Sequence, residues 1–131
     1  MKVNFPKIID YQAITSQSSS LGIISTKDVS MKIKRVFWVT SDNAISRGGH
    51  AHKDCTQVLI PVKGSIKLIV SNPEVRHEYN LEDNKALIVP PMWWGEQVYH
   101  QNSVLLVLCD EHYDESEYIR DWEEFECIFY E

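Results

Sequence analysis

Disulfides, surplus positive charge and long apolar runs are all missing from this chain, and each absence closes a class of answers. Its three cysteines, Cys55, Cys109 and Cys127, are odd in number, far apart and without any C-x-x-C pair. That usage suits reduced thiols in a cytoplasm rather than a disulfide framework. With 13 Lys and Arg against 19 Asp and Glu, the net charge is -6. Such a balance argues against a nucleic-acid or membrane-surface binder, and an anionic ligand would need a local basic pocket. The longest purely apolar run, Val104 to Cys109, falls far short of the ~20 residues of a membrane helix. The opening MKVNFPKIID has no apolar signal core, so a cytoplasmic location is expected. No repeat or linker divides the 131 residues, a length that suits one core and one domain, 1–131.

What is present is short and β-rich. IKRVFWVT, TQVLIPV, SIKLIVS, KALIVP and SVLLVLC follow one another closely, each bounded by Gly, Pro, Asn or Asp. That rhythm predicts an all-β sandwich or barrel. Lys63-Gly64 is expected to turn a hairpin, with Gly64 available for a positive φ, and Asn72-Pro73 and LEDNK to turn further on. The serine-rich stretch between Asp10 and Gly22 reads as a loop or weak strand. In DESEYIRDWEEF, Tyr118, Ile119, Trp122 and Phe125 recur at three and four residues after an acidic first turn. This predicts one short C-terminal helix, with Tyr118, Trp122 and Phe125 in its packing.

The segment Arg47-Gly48-Gly49-His50-Ala51-His52 carries the chemistry. On a strand, residues two apart share a face, so His50 and His52 are expected to enter one cavity while Ala51 points away. After His52 come four residues, Gln57, six residues and Gly64. This resembles the first motif of the cupin superfamily, which usually has Glu at the place of Gln57. The second cupin motif brings another His after a proline turn, and Pro90-Pro91-Met92-Trp93-Trp94-Gly95-Glu96 has none. The resemblance implies a small antiparallel β-barrel or jelly roll of the cupin type. The donors left are too few and too neutral for a catalytic metal, so no metal and no cofactor are expected. Two imidazoles in one pocket then imply proton transfer.

RGGHAHK together with the tail YDESEYIRDWEEF, and with FPKIID, IKRVFWV, GSIKLIV and IVPPMWWG between and before them, resembles the nucleotide-sugar 3,4-ketoisomerases of the FdtA and WxcM-like kind. That resemblance implies an isomerase of deoxyaminosugar and surface-polysaccharide biosynthesis. Its ligand would be a dTDP-linked 4-keto-6-deoxysugar, converted to the 3-keto isomer through an enediol, and its assembly a homodimer. By the same resemblance His50 is the catalytic base and His52 its companion. Arg35 and Arg47 suit an enolate oxygen or a pyrophosphate, with Lys53 a further basic contact. Gln57 suits a sugar hydroxyl. Of Trp93 and Trp94, one ring is expected in the core and one in the cavity, Trp94 being the substrate contact. Two other classes stay open at this stage: a metal-dependent cupin using His50, His52 and Glu96, and a non-catalytic sugar-binding cupin.

Overall fold

Runs of Val, Ile and Leu broken by turn residues become strands here because alternate side chains can be buried on a sheet face. The computed structural model describes residues 4–131; the one-domain reading over 1–131 includes residues 1–3, which lie outside the described residues. Two five-stranded antiparallel sheets face each other. One has the order β1 (Lys7–Asp10), β9 (Lys85–Val89), β6 (Gln57–Lys63), β11 (Ser103–Cys109), β4 (Arg35–Ser41). The other runs β12 (Tyr118–Ile119), β5 (Ile45–His52), β10 (Trp94–Tyr99), β7 (Ile66–Asn72), β8 (Val75–Asn80). Between them lies the core, with Leu59, Leu87, Leu105 and Val107 from the first sheet meeting Leu68, Val70 and Tyr99 from the second. This is the all-β, cupin-like barrel expected from the sequence.

Both outer faces are partly covered. On the first sheet, Val58, Ile60, Ala86 and Ile88 pack under Ile24, Met31, Ile33 and Val29, the last from the short helix α1 (Thr26–Val29). On the second, Ala51, Trp94 and Ile119 pack under Phe125 of α2 (Trp122–Phe129). The serine-rich stretch is a two-stranded ribbon, β2 (Gln12–Thr15) with β3 (Ser20–Ile23), paired with no other strand among the described residues and exposed along its length.

Two details differ from expectation. Gly64 does have a positive φ, +77°, but it turns no hairpin: β6 and β7 belong to opposite sheets, and Gly64 is the corner between them. The tail is helical only from Trp122, because Asp121 caps there, its side chain accepting from Glu124 N–H. Before it, Glu115–Glu117 form a 3-10 turn and Tyr118–Ile119 join β5 as an edge strand. The three-and-four spacing was real for Trp122 and Phe125, whereas Tyr118 is held by strand pairing.

A Cβ at position 64 would lie 2.5 Å from Ser103 Oγ and 2.8 Å from Ser103 Cα, at a φ that L side chains avoid. Gly64→Ala is expected to destabilise the fold by about 2–4 kcal/mol, read as a lower urea midpoint at unchanged slope.

Candidate active site

An irregularity in β5 decides where its histidines point. Gly48 and Gly49 have φ of +94° and +89°. Against β10 the register steps from Gly95↔His50 to Glu96↔Gly48, which leaves Gly49 as the extra residue of a bulge. A Cβ on Gly48 would come within 2.8 Å of the Gly95 carbonyl oxygen, so this close approach requires glycine. Past the bulge, alternation resumes. His50 and His52 share a face with ring centroids 5.1 Å apart, edge to face, while Ala51 is buried on the opposite face beneath Phe125.

The two rings line a narrow cavity between the sheets, together with Cys55, Gln57, Trp93, Gly95 and Gln97. Its interior space of ≈ 20 Å³ has room for about one water. The space between the rings and the opposite sheet therefore holds no more than a water-sized group.

Glu117 organises the base of the site. One carboxylate oxygen lies 2.5 Å from His52 Nδ1, and the other accepts from the Asp54 and Cys55 N–H groups at 3.2 and 3.4 Å. Lys53 N–H donates to the Glu117 carbonyl at 2.9 Å. Because a carboxylate only accepts, His52 carries its proton on Nδ1 and keeps a lone pair on Nε2. That Nε2 is buried and has no partner among the described residues. His52, Cys55 and Glu117 also place donor atoms within 4.8 Å of one another, the one grouping of this kind among the described residues. The carboxylate is already committed on both oxygens, and Nδ1 faces it directly, so the set is closed as a hydrogen-bonded unit and does not fit a metal.

Burial, then His52 and Arg120, lower the His50 pKa to about 4. Burial also lowers that of His52, against the opposing pull of Glu117. Both rings are thus neutral at pH 7 and able to accept a proton. Tyr118, directly opposite His52 in register, lies 4.4 Å from the His52 ring and 5.1 Å from that of His50. The exposed Arg120 guanidinium sits 4.6 Å over the Tyr118 ring, held by bonds of 2.6 and 3.0 Å to Glu115.

The residues expected from the sequence divide accordingly. His50, His52 and Gln57 come together at the cavity. Arg35 is half-buried on β4, close enough for its charge to oppose protonation of His52. Arg47 is exposed on β5, opposite Gln97 and beyond the bulge. Its charge is felt at Tyr99, whose phenol burial still pushes up to about 12. Lys53 is not brought to the histidines: it lines a separate groove with Asn4, Thr56, Pro91 and Met92, because the chain turns after His52. Trp94 is also corrected. Its ring packs 5.7 Å from Phe125 and 5.3 Å from Trp122 on the outer face, and Trp93 is the tryptophan that walls the cavity. Adjacent residues face opposite ways, and only the register of β10 says which faces in. Glu117, Tyr118 and Arg120 were missed, since one acid in an acidic tail and one aromatic at helical spacing carry no distinguishing signal.

Comparison with known proteins follows the same lines. The family model described as FdtA: WxcM-like, C-terminal matches residues 4–129. The TDP-4-oxo-6-deoxy-alpha-D-glucose-3,4-oxoisomerase of Aneurinibacillus thermoaerophilus is 34% identical over 126 residues, 94% of this chain and 87% of that protein. The sugar 3,4-ketoisomerase QdtA of Thermoanaerobacterium thermosaccharolyticum, solved in complex with TDP, superposes with a TM-score of 0.89 at 33% identity, over 96% of this chain and 95% of its own. A histidine-to-asparagine variant of QdtA, solved with TDP-4-keto-6-deoxyglucose, gives 0.89 at 32% identity over 96% and 94%.

A histidine whose folded pKa lies below its unfolded value binds its proton more readily in the unfolded chain. Stability is then complete above the ordinary value of 6.5 and is lost as pH falls toward about 4. The urea midpoint is expected to drop between pH 7 and pH 5, and to drop less in His50→Asn.

Proposed function

The chain belongs to the FdtA family, WxcM-like, C-terminal, and on that premise we propose that it is a sugar 3,4-ketoisomerase that converts a dTDP-linked 4-keto-6-deoxyhexose to its 3-keto isomer. The observation that carries this reading is the neutral histidine pair, backed by the Glu117 carboxylate, lining a cavity between the sheets. The ketone at carbon 4 acidifies the hydrogen on carbon 3, since the charge left behind spreads onto the carbonyl oxygen. His50 takes that proton, and the enediol is reprotonated at carbon 4. His52, with Nδ1 committed to Glu117, uses its Nε2 lone pair to move the hydroxyl proton between the two oxygens. A value of about 4 keeps His50 unprotonated in the empty site. The anionic diphosphate of the substrate raises its proton affinity toward the working pH on binding. Arg35 faces the developing oxyanion, Gln57 a sugar hydroxyl, and Arg47 and Arg120 the nucleotide's phosphates.

The same reading places the enzyme in the cytoplasm, in deoxyaminosugar biosynthesis, as one domain and as a homodimer. The structure has no helix long and apolar enough to cross a membrane among the described residues. Cys55 and Cys109 remain free thiols, as a reducing compartment requires. Support for the dimer comes from apolar surface that a monomer rarely leaves open. Val36, Trp38 and Val62 are 49%, 66% and 52% exposed on the first sheet, and Ile14 and Leu21 are 54% and 56% exposed on the ribbon. A two-stranded ribbon is marginal by itself, and a second copy supplies what it lacks.

Turnover of TDP-4-keto-6-deoxyglucose in deuterated water, followed by proton NMR, is expected to give the 3-keto sugar with deuterium at carbon 4, at a rate indifferent to chelator. His50→Asn should abolish turnover while TDP still binds, and Glu117→Gln should lower kcat about a hundredfold by freeing the His52 tautomer. Activity lost to EDTA and restored by one metal would replace this reading with that of a metal-dependent cupin. TDP-sugar binding without turnover would leave a sugar-binding cupin. Light scattering at micromolar concentration should report a dimer, and Trp38→Glu should shift it toward monomer; a monomeric wild type contradicts the assembly.

A further inference from the structure

On the inner face of the first sheet, strand register lines up Arg35, Cys109 and Gln57 on the adjacent strands β4, β11 and β6. Residues directly opposite one another on antiparallel strands share a face. Here the outer two aim donors at the central sulfur: Arg35 Nη2 lies 3.5 Å and Gln57 Nε2 3.6 Å from Cys109 Sγ. Cys109 has no exposed surface, and Cys55, also free and buried, is its neighbour, with its own Sγ donating to the Thr56 carbonyl oxygen at 3.4 Å. No carboxylate pairs with Arg35 among the described residues. Its Nε is buried without a partner among the described residues, and the ring faces of Phe37 and Tyr113 lie 5.6 Å from its Cζ. A half-buried guanidinium is steadied by a counter-charge, and the sulfur is the acceptor the geometry places within reach of its Nη2.

We propose that Cys109 is a positioning residue: its thiolate is the counter-ion that holds Arg35, with Gln57, beside the histidine site, leaving the guanidinium free to meet the sugar oxygen on which negative charge develops. This rests on the isomerase reading of the same site. A carboxylate in place of the sulfur would take the guanidinium in a bidentate fork and occupy the donors the substrate needs. A large, weakly accepting sulfur fixes the group while leaving most of its N–H donors unused.

The electrostatics agree. The neighbouring Cys55, against burial and with Arg35 and Gln57, brings the Cys109 thiol down to about 6. Cys109 and burial push Cys55 up, so of the two Cys55 is the one that keeps its proton, which it donates to the Thr56 carbonyl oxygen. Burial opposes the charge on Arg35, yet Cys109 and Tyr118 outweigh it and raise its pKa. The charged and titratable groups facing this unit are Arg35 from β4, Cys55 in the turn before β6, Asp110 and Tyr113 after β11, Glu117 just before β12 and Tyr118 on it, and His52 from β5.

The test is Cys109→Ser, which keeps the shape and cannot carry the charge, alongside Arg35→Gln. Ultraviolet thiolate absorbance of the intact protein, as a difference against Cys109→Ser, should show a thiolate titrating near pH 6. In Arg35→Gln that titration should move up by about one pH unit or more. With TDP-4-keto-6-deoxyglucose, Cys109→Ser should lower kcat about ten- to hundredfold while TDP affinity holds. Added to Arg35→Gln, it should cost no more than about twofold, because it acts through that side chain. A wild-type thiol that stays protonated to pH 8, or a titration that Arg35→Gln leaves in place, overturns the anchoring. An active wild type whose kcat survives Cys109→Ser overturns the catalytic consequence. A wild type that shows the thiolate but no isomerisation overturns the proposed function alone.

Discussion

Much of this site depends on one buried carboxylate. Glu117 bonds to the His52 ring, takes two backbone N–H groups of the turn after β5, and through its own carbonyl holds Lys53 N–H. A buried carboxylate left with an open oxygen would cost several kcal/mol, so each of these bonds is enforced by the others. In holding them, Glu117 sets the tautomer of His52, closes the turn that carries the chain from one sheet to the other, and starts the edge strand that lays Tyr118 across both histidines. Structure and acid-base chemistry share a single group.

The rest of the site is built from ordinary sheet geometry with one departure. A bulge at Gly49 lets β5 pass close to β10 and then restores the alternation that sends both imidazoles the same way. The cavity they meet is too tight for more than about one water, which keeps the rings desolvated and neutral. Side chains fixed on strands hold their geometry better than side chains on loops. Here the histidines, Gln57, Cys109 and Arg35 all sit on strands; Arg47 is also on β5 but exposed, and Arg120 follows β12.

Reading the molecule from its residues succeeded where the signal was local. Five apolar runs became β4, β6, β7, β9 and β11, and the H-x-H pair converged because a strand repeats every two residues. Gln57 was legible from its spacing to that pair. Trp94 was assigned the cavity that Trp93 occupies: both readings satisfy the alternation, and only the pairing of β10 with β5 and β7 chooses between them. Lys53 looked like a neighbour of His52 along the chain, and one turn of backbone moves it to another groove. Tyr118 satisfied a helical spacing, but its strand pairing with His52 won, since helix formation had to wait for the Asp121 cap.

By itself, then, the sequence determined the fold class and the convergence of His50 and His52 on one face, because strand periodicity is a property of neighbouring residues. Only the tertiary structure decided that Glu117 backs His52 across 65 positions of chain, and that Arg35, Cys109 and Gln57 form one row. Contacts across a sheet depend on which strands pair and in what register. That choice is made by the burial of the whole core, and no single segment encodes it.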